Sequence, residues 1–159
     1  MNKMMMRMIV VGVAMMALVL MALPAGASNP GQAVVYFDKI FDAAESISAG
    51  TAVFTGTVNG DVSGTLKSTL LEGTVKGNGT INQVTFEWAI KDDNLADGDQ
   101  SFTAIASGTL NTQTGKVVMN GSVVSGYLQG AKFIEEGQLV DPNTLQFQGS
   151  MKLVVNTAE

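Results

Sequence analysis

One three-residue word, a glycine followed by a threonine and an aliphatic residue, recurs along the chain. It appears as Gly56-Thr57-Val58, Gly64-Thr65-Leu66, Gly73-Thr74-Val75, Gly79-Thr80-Ile81 and Gly108-Thr109-Leu110, and with serine as Gly121-Ser122-Val123 and Gly149-Ser150-Met151. Side chains alternate faces along a strand, so the glycine and the aliphatic residue share one face and the hydroxyl residue points to the other. Neighbouring residues keep that phase: Phe102, Ala104, Ala106, Gly108 and Leu110 fall together, as do Phe147, Gly149, Met151, Leu153 and Val155. Glycine weakens a flat strand, and its usual reason for standing in one is a bend or a close approach of backbones. Repeated on the core-facing side, it lets a sheet curl far enough to close. The spacing between words varies from 6 to 29 residues, which fits no solenoid, and no amphipathic helix follows a word, as a phosphate-cradling loop requires.

The pattern predicts an all-β chain: a single small antiparallel up-and-down barrel of about eight strands. Strands are expected over residues 51–58, 61–71, 73–77, 80–90, 101–110, 116–125, 127–140 and 145–155. Asn59-Gly60 is a strong hairpin turn, and Asp141-Pro142-Asn143 begins with turn chemistry. The stretch Val34 to Ser48 fits either a strand running into a short helical turn or a helix covering one barrel end, and is read as a short irregular or helical plug, so that residues 28–50 form a leader and plug and 51–159 the barrel domain. Before them, Lys3 and Arg7, the apolar run Ile9 to Leu23 and the Ala25-Gly26-Ala27 site have the form of a cleaved signal peptide over residues 1–27. A secreted or periplasmic protein, not inserted in a membrane after cleavage, is the expectation.

Composition narrows the chemistry. The chain has no cysteine and no histidine, which removes disulfides, thiol nucleophiles, histidine-based triads and Cys/His metal sites. Its only arginine is Arg7, and all 14 acids lie beyond Ala27. An acidic domain without arginine is poorly suited to nucleic acid, which calls for a basic patch. The aspartates of "KDDNLADGDQ", Lys91 to Gln100, miss the spacing of a calcium loop and read as turn residues. No cofactor and no metal is expected, and the sequence does not fix an oligomeric state.

Two segments supply candidate site residues. Alternation in "VTFEWAI" sets Phe86 and Trp88 on the inner face, as lining for a ligand cavity or as filling of a packed core. In "YLQGAKFIEEGQL", one phase turns Tyr127, Phe133 and Glu135 inward, and the other turns in Lys132 and Glu136. A charge enters the barrel either way unless a bulge intervenes, and places where the pattern breaks are where function or strain is found. Phe86, Trp88, Tyr127, Lys132, Glu135 and Glu136 are therefore the candidate ligand-binding residues, with Glu135 and Tyr127 the candidates for catalysis.

The segments "TAVFTGTVNGDVSG" and "SFTAIASGTLNTQTGKVVMNGSVVSGYLQGAKFIEEGQLVDPNTLQFQGSM" resemble small secreted bacterial proteins whose barrel is like that of allene oxide cyclase and dirigent proteins. The resemblance implies a calycin-like eight-stranded barrel and carries no activity with it. Three functional classes follow: a barrel that binds a small apolar molecule, a cyclase or isomerase of the allene oxide cyclase-like type, and a structural envelope protein without catalysis.

Overall fold

A computed structural model describes residues 31–76 and 79–155. The expected signal peptide lies outside the described residues. Eight strands follow one another around a closed antiparallel barrel: β1 (Gln32–Phe41), β2 (Val53–Gly60), β3 (Gly64–Lys76), β4 (Ile81–Asp92), β5 (Phe102–Asn111), β6 (Lys116–Gly126), β7 (Lys132–Asp141) and β8 (Gln146–Val154). β8 returns to pair with β1, from Gln32 opposite Val154 to Lys39 opposite Phe147, which closes the sheet, while residues 72–76 of β3 run past the start of β2 and pair with β4. On the outside of that seam, the Asp38 carboxylate accepts hydrogen bonds from Gln146 Nε2 at 2.8 and 3.0 Å and from Gln148 Nε2 at 3.1 Å.

The number of strands agrees with the sequence reading, but its membership is corrected twice. The expected plug at Val34 to Ser48 instead supplies β1 and the short helix α1 (Ala43–Ala49). Ala33, Val35, Phe37 and Lys39 alternate inward along β1. A lysine in the buried phase breaks the apolar pattern by which a strand is recognised. Helix α1 starts at Asp42, whose Oδ1 accepts from Glu45 N at 2.9 Å, and ends at Gly50 with φ of 65°. It covers Val53: Ser46 Oγ accepts from Val53 N at 2.6 Å, and both residues are buried. The second correction joins the expected strands at 61–71 and 73–77 into the single strand β3, with a bulge between Leu70 and Glu72 where the two had been separated.

Most of the glycine words stand where neighbouring backbones come close, Gly73 and Gly79 being the exceptions. A Cβ on Gly108 would lie 2.7 Å from Met119 Cα, and one on Gly149 would lie 2.7 Å from Gly137 Cα and 2.8 Å from Phe37 Cζ. At these points adjacent strands approach too closely for a side chain. Within the barrel, Trp88, Met119, Phe133, Met151 and Leu153 are fully buried. Small residues stand beside the large ones, Ala104 opposite Trp88 and Ala106 opposite Phe86, which is how a narrow barrel accommodates an indole. The outer face is mixed, with Lys67, Lys116, Lys132, Glu136, Gln138 and Lys152 exposed beside aliphatic residues such as Ile105, Val124 and Val140.

Candidate functional site

The alternation of β1 carries Lys39 into the barrel, where it is 5% exposed. Its Nζ donates to Ser68 Oγ at 3.2 Å, Ser68 being the buried inward residue of β3 opposite Trp88. Aromatic rings form the remaining walls. Nζ lies 3.7 Å from the Trp88 ring centroid, 5.1 Å from those of Phe54 and Phe86, 5.5 Å from Phe37 and 5.9 Å from Phe147. When protonated, the ammonium is held by the faces of these rings. It has three donors, of which Ser68 takes one. Toward the end of the barrel where β1 finishes, Phe54 makes edge contacts with Phe41, Phe86 and Phe147 at centroid distances of 5.5, 6.0 and 5.8 Å. Phe41 and Phe54 are only half-buried, so this aromatic layer meets solvent at that end.

Glu135, the second inward charge, comes from β7 and is 1% exposed. In the register it stands between Met119 of β6 and Met151 of β8. Room for its carboxyl is left by Gly137, since a Cβ there would sit 2.7 Å from Glu135 Oε1 and 3.2 Å from Phe37 Cζ. Its Oε2 is bonded by no protein group, and neither is the buried indole Nε1 of Trp88. Among the described residues the ion pair is Lys67 with Glu45 on the surface; Lys39 and Glu135 attract each other across the interior without touching.

Burial dominates both titrations. Loss of water lowers the Lys39 pKa to about 7 from its ordinary 10.5, against the upward pull of Glu135. The same desolvation raises Glu135 to about 7 from 4.5, opposed by attraction to Lys39 and assisted by repulsion from Glu136. An acid and a base that exchange protons near neutral pH thus share one apolar interior, which is an arrangement characteristic of functional sites.

The other expected residues divide between inside and outside. Phe86 and Trp88 belong to the cage around Lys39. Lys132 and Glu136 are exposed on the outer face of β7, so the first of the two phases is the one adopted. Tyr127 is half-buried in the β6–β7 turn, where its N donates to Ser101 O; it stands at the end of the barrel where β1 begins, away from Lys39. At that same end, Asp92 is a structural carboxylate: it accepts from Asn94 N at 3.0 Å and Gln100 N at 3.1 Å and pins the β4–β5 loop. Grooves on the outer surface, one over Glu72 to Thr74 and one over Tyr36 and Glu136, include neither Lys39 nor Glu135.

Sequence reasoning missed Lys39, Ser68, Phe37, Phe54 and Phe147 as members of the site. The signal was present for Lys39: it follows Val35 and Phe37 in the same phase, the logic that had singled out Glu135. Compared with known proteins, the chain matches no family model, and no curated protein or solved structure matches it, so a functional reading starts from the closed barrel and its interior pair.

Proposed function

We propose that this is a secreted barrel that binds a small, mostly apolar molecule bearing one polar acceptor, at the Phe54–Phe86–Phe147 end. The observation that carries the reading is Lys39, buried among aromatic rings with a neutral hydroxyl as its hydrogen-bond partner. Replacing a buried charge pair by apolar residues of similar volume is often neutral or stabilising, so the core alone gives no reason for Lys39 and Glu135. A ligand does: its carbonyl or carboxylate oxygen would take the unfilled donors of the ammonium, and its apolar part would replace the contacts of Phe54. The closed antiparallel topology is compatible with the calycin-like resemblance.

The test uses the chain's single tryptophan, which lies against Lys39. Medium-chain fatty acids, terpenoid ketones and small polyketides are screened for a rise in Tm, which any ligand of the native state produces, and for a change in Trp88 emission. Lys39→Met should weaken a responding ligand by about tenfold or more, the usual worth of a charge-assisted hydrogen bond. Absence of any response, or equal binding by Lys39→Met, would overturn the reading.

One observation favours a second reading, a cyclase or isomerase: Glu135 and Lys39 both titrate near 7, where general acid–base transfer is most effective. Glu135→Gln would then retain ligand binding and lose turnover.

A further inference from the structure

Lys39 differs from an ordinary buried lysine in what it lacks: it makes no ion pair, and the acceptor it has is a neutral hydroxyl. Its walls are apolar rings, and the nearest acid in the interior keeps an oxygen free of any protein partner. An amine in such a place is equipped to do more than donate a hydrogen bond. We propose that Lys39 captures aldehydes and unhindered ketones covalently, forming an imine at Nζ with the Glu135 carboxyl as the proton donor and acceptor of the interior.

The proposal rests on the binding reading given above and names the ligand class. The chemistry balances without an added reactant. The Nζ lone pair attacks the carbonyl carbon, a C–N bond forms, and a proton passes from nitrogen to oxygen to give the carbinolamine. Protonated Glu135 then delivers its proton to the hydroxyl, the C–O bond breaks, and water leaves as the nitrogen lone pair closes the C=N bond. The product is a cationic imine with the Glu135 carboxylate as counter-ion, and loss of the proton to that carboxylate restores the starting acid. Each part of the surroundings favours a step. Desolvation holds a large fraction of Lys39 as the free amine near neutral pH. The Trp88 face, 3.7 Å from Nζ, holds the cationic imine as it held the ammonium. The aromatic layer around Phe54 excludes the water that would hydrolyse it.

The experiment pairs benzaldehyde with benzyl alcohol, which has the same ring and no carbonyl. Each is titrated into the protein at pH 7 while Trp88 emission is followed; sodium borohydride is then added, and intact mass and peptide mapping locate any reduced adduct. The expected result is one benzyl group per chain, on Lys39, with each exposed lysine labelled about tenfold less or lower, because an ordinary lysine is almost wholly protonated at this pH. Lys39→Met should lose the adduct. The mapping is made on the wild-type protein, so the outcome stands even if a variant folds poorly. If both compounds perturb Trp88 equally and borohydride fixes nothing, covalent capture is wrong and the binding site stands. If neither compound perturbs Trp88 and no adduct forms, both fail. Labelling confined to surface lysines such as Lys67, Lys116 and Lys152 also overturns the proposal.

Discussion

At the scale of single residues, two buried charges from opposite parts of the chain set the character of the interior. Their titrations oppose each other in sign. The folded value of Glu135, about 7, is above its ordinary 4.5, so its contribution to stability is fully present below about pH 4.5 and is lost as pH rises toward 7. The folded value of Lys39, about 7, is below its ordinary 10.5, so its contribution is present above about pH 10.5 and is lost as pH falls toward 7. Both losses are largest together near neutral pH. A variant with Lys39→Met and Glu135→Met removes both charges, and we expect it to be more stable than wild type at pH 7 by about 1 to 4 kcal/mol. The difference between the two proteins, measured by denaturant titration across the pH range, should be greatest near pH 7 and shrink in both directions. A difference that grows steadily toward one extreme would mean that the pair does not titrate as described.

At the scale of elements, the inward glycines determine how far each strand can bend. A branched side chain on Gly108 or Gly149 would meet the backbone of the next strand, and on Gly149 the Phe37 ring as well. Gly108→Val and Gly149→Val are therefore expected to lower stability by about 1 to 3 kcal/mol or more, the range for overpacking. Thr109→Val, one residue along β5 on the exposed face, should change it little. Chemical denaturation of the three variants checks the assignment of faces, and equal losses would contradict it. The same alternation explains which elements were legible. β5 and β8 follow the period-2 pattern without interruption, and both were read correctly. β1 was obscured because Lys39 occupies a buried position, and β3 was divided because the extra residue of its bulge between Leu70 and Glu72 breaks the period-2 pattern.

At the scale of the whole molecule, closure by β8 on β1 pairs the two strands that would otherwise end an open sheet, which matters for a chain that has no disulfide to stabilise it. The proposed export belongs to this scale too. If Met1 to Ala27 serve as a cleaved signal, the exported chain begins at Ser28. Intact-mass measurement of the protein recovered from the culture medium or periplasm should show that start, and a mass that retains the first 27 residues would refute it.

The sequence by itself determined the architecture and narrowed one interior charge to two phases of one strand. Strand alternation, glycine placement and turn residues are local properties, each readable within about ten positions of chain, and they led to a closed barrel with either Glu135 or Lys132 and Glu136 turned inward; the structure selected Glu135. What only the tertiary structure decided is which inward residues meet. Lys39 lies on β1 and Glu135 on β7, and they share an interior because β8 closes the sheet between them. Phe54, Phe86 and Phe147 come from three further strands and converge on Lys39 only at the tilt and register that closure imposes. The pKa shifts have the same origin: both arise from burial, and a local stretch of sequence shows which face a charge takes but not how completely the other strands will remove it from water.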